Sequence, residues 1–220
     1  MNLLREQNAA AYRDAMGRLL VLYTQVDSLI MRACAERIAC APDEAARLGL
    51  AKQVGDEAKH VAIQREWMRD FGVEPVPVLD AQQEALILAH FRSLDWLAFL
   101  TDMYLCVEAL GSDAVESIVP LADPGTKASL RVPLQDELDH IEFGVNRLRA
   151  ELARMSPTDR QAFLDNVPGR ITALSDAFNE MGLDLQRLFE AVGADYEALC
   201  HSVLERKEEV LREVAEPLAA

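Results

Sequence analysis

Asp-Glu-x-x-His occurs twice in this sequence, in GDEAKH at 55–60 and in QDELDH at 135–140, with the copies 80 residues apart (56 to 136). A glutamate and a histidine at i and i+3 face the same way only on a helix. One such pair offers two ligands to one metal ion. Two pairs on facing helices, each joined by an acid from a further helix, can hold two ions inside a four-helix bundle. The repeat therefore asks for four helices in register and two more buried acids.

Counting from the turns finds those acids. In a helical hairpin, residues equidistant from the turn lie at similar height. Glu57 lies fifteen residues beyond Pro42 (42 to 57), and Asp27 lies fifteen before it (27 to 42). Glu137 lies fourteen residues beyond the middle of the LADPGT turn (123 to 137), and Glu108 is its counterpart on the other arm. Both acids interrupt apolar helix, in YTQVDSLIM and YLCVEALGS. A carboxylate there is costly unless paired or metal-bound. Glu36 competes on the first helix, but it stands only six residues before Pro42 (36 to 42). That puts it about 14 Å from Asp27 at roughly 1.5 Å per residue.

The aspartates of the motif have a role of their own. A metal-bound imidazole usually donates its second N–H to a carboxylate. Asp136 is therefore expected beside His60, and Asp56 beside His140, each across helices. Four carboxylates and two imidazoles suit two iron ions, with manganese the alternative. Zinc prefers fewer ligands.

Apolar spacing and breakers predict the rest of the layout. A helix over 3–39 ends at Ala41-Pro42-Asp43, and Asp43 can cap a second helix over 44–71 that Gly72 closes. GVEPVPVLD reads as an extended connection. Residues 80–119 are helical, in two pieces around Ser93. A fourth long helix runs from about 126 to 155, with a kink expected at Pro133. Shorter helices follow near 157–166, 168–181, 184–192 and 195–213, with Gly182 and Gly193 as stops. No strand pattern stands out. A single domain over 1–220 is expected, with a metal-binding bundle over about 3–155 and covering helices over about 156–214.

Composition narrows the function. Half of the 220 residues are hydrophobic but only 6% are aromatic, which favours helix. A net charge of −15 repels phosphate backbones and anionic lipid, so neither nucleic acid nor a membrane is an expected partner. No apolar run approaches the ~20 residues of a membrane span. Cys34, Cys40, Cys106 and Cys200 show no CxxC spacing, and MNLLREQNAAAYRD lacks the apolar core of a signal peptide. A cytoplasmic protein with reduced thiols is expected.

The pattern resembles the ferritin-like diiron carboxylate superfamily. PDEAARLGLAKQVGDEAKH is similar to the second metal helix of the catalytic subunits of bacterial phenylacetyl-coenzyme A epoxidases. DELDHIEFG, with the short helices after it, is similar to the aldehyde-deformylating oxygenases. The likeness covers roughly residues 20–215. It implies an all-α, ferritin-like four-helix bundle with extra C-terminal helices. It also implies metal ligands at Asp27, Glu57, His60, Glu108, Glu137 and His140. These families usually carry glutamate where this chain has Asp27.

Some 65 residues follow the fourth long helix (156 to 220), more than a storage bundle needs. Covering helices are what a buried substrate pocket requires. The expectation is a dimetal oxygenase or oxidase that takes dioxygen, a small or medium organic substrate and electrons from an external donor. It has no catalytic side chain beyond the ligands. The open alternatives are an iron-oxidising or peroxide-handling ferritin-like protein and a non-catalytic subunit of an oxygenase complex. A homodimer is compatible with the sequence. Tyr23 and Ile30 beside Asp27, and Tyr104, Leu105, Gly111 and Ser112 beside Glu108, are the candidate pocket wall. His90 and His201 have no partner at motif spacing and read as ordinary residues.

Overall fold

The structure is a computed structural model that describes residues 2–180 and 183–216. Among these, every regular element is helical. Helix α1 (Asn2–Ile38) and helix α2 (Glu44–Phe71) form the first hairpin. Asp43 starts α2 by accepting the Ala46 amide at 2.8 Å, and Gly72 ends it with φ 70°. Only a residue without Cβ adopts that left-handed conformation readily.

The connection at 72–80 is pinned to α1 by one side chain. The Gln25 carbonyl oxygen accepts the amides of Val78 (2.7 Å) and Leu79 (3.0 Å), and its amide donates to the Leu79 carbonyl (2.9 Å). This satisfies backbone groups that an extended, proline-bearing segment cannot pair with itself. Helix α3 (Ala81–Ser93) then begins with a reciprocal cap between Asp80 and Gln83 and packs on α1.

The third bundle arm is one helical run of three parts: α4 (Trp96–Leu100), a π-helical segment (Thr101–Glu108) and α5 (Ala109–Ile118). Its antiparallel partner is α6 (Pro124–Leu152). Asp123 caps α6 through the amides of Gly125 and Thr126, and Pro124 takes the first helical position. The turn is therefore shorter than the expected 121–126. The expected irregularity at Pro133 is not an interruption, because α6 continues through it. A proline at 133 leaves the Ser129 carbonyl without its helical donor. The Gln64 side-chain amide from α2 donates to that carbonyl instead, at 3.2 Å. The irregular stretch is the π-helical segment, which the sequence did not announce.

Helix α7 (Pro157–Glu180) runs unbroken through Pro168 where two helices were expected. Helices α8 (Leu185–Ala191) and α9 (Tyr196–Ala215) follow, separated at Gly193 (φ 88°). The stop expected at Gly182 lies outside the described residues. Each covering helix rests on a different part of the bundle: α7 on the π-helical segment, α8 on α1, and α9 on α5 and α6.

Candidate metal centre

Four arms deliver their polar side chains to one level of the core. On α2, Gln53, Glu57, His60 and Gln64 fall at i, i+4, i+7 and i+11, a single helical stripe, and all are buried. Asp27 comes from α1, Glu108 from the end of the π-helical segment, and Glu137 and His140 from α6. None of the six acids and histidines is more than 6% exposed. Glu36 is elsewhere, at the surface, in a two-pronged ion pair with Arg92 at 2.6 Å.

The six residues do not form one undivided nest. Asp27, Glu57 and His60 bring their ligand atoms within 4.8 Å of one another, and so do Glu57, Glu108 and His140. Glu57 belongs to both clusters. Its two oxygens face different rings, with Oε2 at 3.2 Å from His60 Nδ1 and Oε1 at 3.3 Å from His140 Nδ1. Glu137 stands beside them and in neither cluster. Its Oε1 accepts the Tyr23 hydroxyl at 2.5 Å, and the Ser112 hydroxyl faces the same carboxylate.

Both imidazoles turn Nδ1 inward and Nε2 outward. His60 Nε2 lies 3.1 Å from Asp136 Oδ2, and His140 Nε2 lies 3.3 Å from Asp56 Oδ2. The pairs cross between α2 and α6. Lys59 and Lys52, both exposed, contact the same aspartates at 2.6 and 2.9 Å. Burial pushes each aspartate pKa up, but the lysine and imidazole partners outweigh it and the carboxyls sit below their ordinary value. They remain ionised acceptors, which favour a proton on each Nε2, so that each ring ligates through Nδ1 once the proton there is displaced.

Electrostatics explains what this centre lacks on its own. Burial, and then mutual repulsion with Glu57, Glu137 and Glu108, lifts Asp27 well above the carboxylate range. Burial likewise raises Glu57, Glu108 and Glu137. Burial lowers the His140 pKa, but Glu108, Glu57 and Asp56 overcome it and raise the group to about 9. Burial, then Asp27 and Glu137, keep the Tyr23 phenol protonated. Asp27 Oδ2 and Glu137 Oε2 are buried with no hydrogen-bond partner, and Glu57 Oε1 and His140 Nδ1 face each other at 3.3 Å without hydrogen-bond geometry. Unpaired buried polar atoms are rare, and several in one site point to a missing partner of opposite charge. Two divalent cations fit: they would balance the four carboxylates and need oxygen and imidazole donors of this kind.

Gln53 is a participant that sequence reasoning missed. Its amide donates to Glu108 Oε1, and its carbonyl accepts the Tyr104 hydroxyl at 2.6 Å. Its position one turn before Glu57 was the available signal. His90, read as ordinary, contacts the buried carboxylate of Asp102 at 2.7 Å, as does Arg170 from α7 at 2.8 Å.

A cavity of about 190 Å³ opens from the centre between α1, α5 and α8. Tyr23, Ile30 and Gly111 line it, as does Ser112. A Cβ at Gly111 would meet nothing within 4 Å, so this glycine leaves open space. Tyr104 and Leu105 do not line it, contrary to expectation. On the third arm the cavity touches only residues from Val107 onward, so it lies on the C-terminal side of Glu108. Tyr104 is on the other side, its ring against Gly144, where any Cβ would sit 2.1 Å from the Tyr104 ring. Leu185 and Phe189 of α8 complete the lining.

Fold and centre together define a ferritin-like four-helix bundle with extra C-terminal helices and two interlocked carboxylate–histidine clusters. A solved structure shares the fold: a protein from Synechococcus described as protein 19 with aldehyde deformylating oxidase activity. The two chains superpose with a TM-score of 0.72 at 22% sequence identity, over 95% of this chain and 94% of that one. No protein-family model matches the sequence, and no curated protein does.

Proposed function

We propose that this chain is a non-haem dimetal oxidoreductase, with two iron ions as its cofactor, that uses dioxygen on a small organic substrate. The observation that carries this reading is the pair of clusters sharing Glu57 at the mouth of an apolar cavity. The fold shared with a protein of aldehyde deformylating oxidase activity supports it. Ferrous ions held by these residues would supply electrons to dioxygen, with an external donor restoring them.

The chain's own residues do the rest. Asp27, Glu57, His60, Glu108 and His140 hold the ions, and Asp56 and Asp136 fix the imidazoles that face them. The cavity is smaller than the roughly 300–1,000 Å³ that holds a drug-sized ligand. It suits a small substrate or the reacting segment of a longer one. No Lys or Arg is among its described lining residues. Away from the ions, the enclosed part of the substrate therefore meets no positively charged side chain.

The test is metal analysis of purified protein, followed by dioxygen uptake by the ferrous protein with a chemical reductant. Two irons per chain, with uptake lost in Glu57→Ala and His140→Ala, are expected. Assembly into a hollow shell that mineralises iron would replace this reading with storage.

A further inference from the structure

We propose that Tyr23 couples the cavity to the metal centre: its hydroxyl holds Glu137 back from the two clusters until an oxygen atom of a cavity ligand takes the Glu137 carboxylate's place. This rests on the dimetal reading above. Three observations carry it. Glu137 is buried at the level of the other ligands yet belongs to neither cluster. One of its oxygens accepts the Tyr23 hydroxyl at 2.5 Å, while the other is buried without a partner. Tyr23, Ser112 and Glu137 all line the cavity, so the bond that restrains the carboxylate is exposed to whatever enters.

The cavity also fixes how a ligand must lie. Its polar groups gather at the metal end, and its remaining wall is aliphatic or aromatic, ending at Ile118, Leu185 and Phe189. A molecule with one oxygen-bearing head and an apolar body can enter in one sense only, head toward Tyr23. There the head oxygen accepts the phenolic hydrogen bond. Glu137 then loses its Tyr23 donor and keeps only the Ser112 hydroxyl facing it, in a place where an under-paired carboxylate is costly. The carboxylate turns to the nearest positive charge, the cation at Asp27, Glu57 and His60. No covalent bond changes in this step. Its effect is that the centre gains a ligand only when the cavity is filled.

The experiment uses full-length protein loaded with Co²⁺, whose visible bands report coordination, and 1-hexanol as the cavity probe. Wild type is expected to bind two Co²⁺ per chain and to change its spectrum when hexanol is added. Tyr23→Phe keeps the ring and removes the hydroxyl. It is expected to show the hexanol-type spectrum without hexanol, to respond no further, and to bind Co²⁺ several-fold more tightly, while melting at a lower temperature in the metal-free state, where Glu137 has lost its donor. Glu137→Gln is expected to lose the hexanol response. A wild type that cannot bind two Co²⁺ overturns the dimetal reading itself. A wild type that binds two, with Tyr23→Phe identical to it in spectrum and affinity, overturns the coupling alone.

Discussion

At the scale of single residues, the crossed aspartate–histidine pairs set how well the imidazoles are aimed. Asp136→Asn keeps the shape but weakens the acceptor that fixes the His60 tautomer. Metal affinity should fall by about 10–100-fold, measured by competitive Mn²⁺ titration. Unchanged affinity would mean that Lys59, not His60, is the real partner of Asp136. The pKa of His140 leads to a second expectation. Raised to about 9 from an ordinary 6.5, this group stabilises the metal-free fold fully below pH 6.5 and loses that contribution as pH rises through 9. The raised buried carboxyls act in the same direction from lower pH. Metal-free protein should therefore melt at lower temperature at pH 9 than at pH 6.5. Divalent cations need deprotonated ligands, so the rise in melting temperature with Mn²⁺ should be larger at pH 8 than at pH 6. A metal-free melting temperature flat across this range would show that His140 is neutral throughout. Asp27 was legible because equal counting from Pro42 reflects hairpin geometry. Gln53 had only its position one turn before Glu57 as a signal, because AKQVGDEAKH reads as a polar run and only docking of the third arm buries it.

At the scale of elements, boundaries written in caps were readable and irregularities inside helices were not. Asp43 and Gly72 bound α2 at the positions their chemistry dictates. Nothing in TDMYLCVE marks a π-helical turn, since its apolar residues satisfy either helix period. Pro133 announces a lost main-chain donor, but not what lets α6 continue through it. The carbonyl it orphans is rescued by Gln64, 65 residues earlier, and that separation has no sequence signature. A mutant cycle tests the rescue. Gln64→Leu should cost about 1–3 kcal/mol in urea unfolding by leaving the Ser129 carbonyl unpaired. In a Pro133→Ala background, where a main-chain N–H returns, the same substitution should cost much less. Equal costs in both backgrounds would remove Gln64 from the account of why α6 stays unbroken.

At the scale of the whole molecule, α8 adds Leu185 and Phe189 to a cavity wall that the bundle begins. The existence of the C-terminal helices was legible from Gly193, Pro157 and chain length. Which of them covers the cavity was not, because that depends on α8 packing against α1. Phe189→Ala should lengthen the cavity, so longer 1-alkanols should raise the melting temperature of the variant than of wild type. It should also lower stability, by up to about 3–5 kcal/mol if the site behaves as core. An unchanged alcohol profile would move the cavity's end away from α8. Among the described residues no helix is long and apolar enough to cross a membrane.

Sharing Glu57 between clusters has a temporal side. Asp27, Glu57 and His60 all lie within the first hairpin, whereas the other position waits for Glu108 and His140 from the second. The three residues of one candidate cation position thus meet as soon as α1 and α2 pair, with only Asp136 of α6 still to reach His60, whereas the other position is assembled by the docking of two halves of the chain. Occupation should be ordered: a first ion as an early folding nucleus, a second as a clasp on the finished bundle. His140→Ala should then keep one tight Mn²⁺ equivalent and lose the other, and loss of both would show that the two positions form as one.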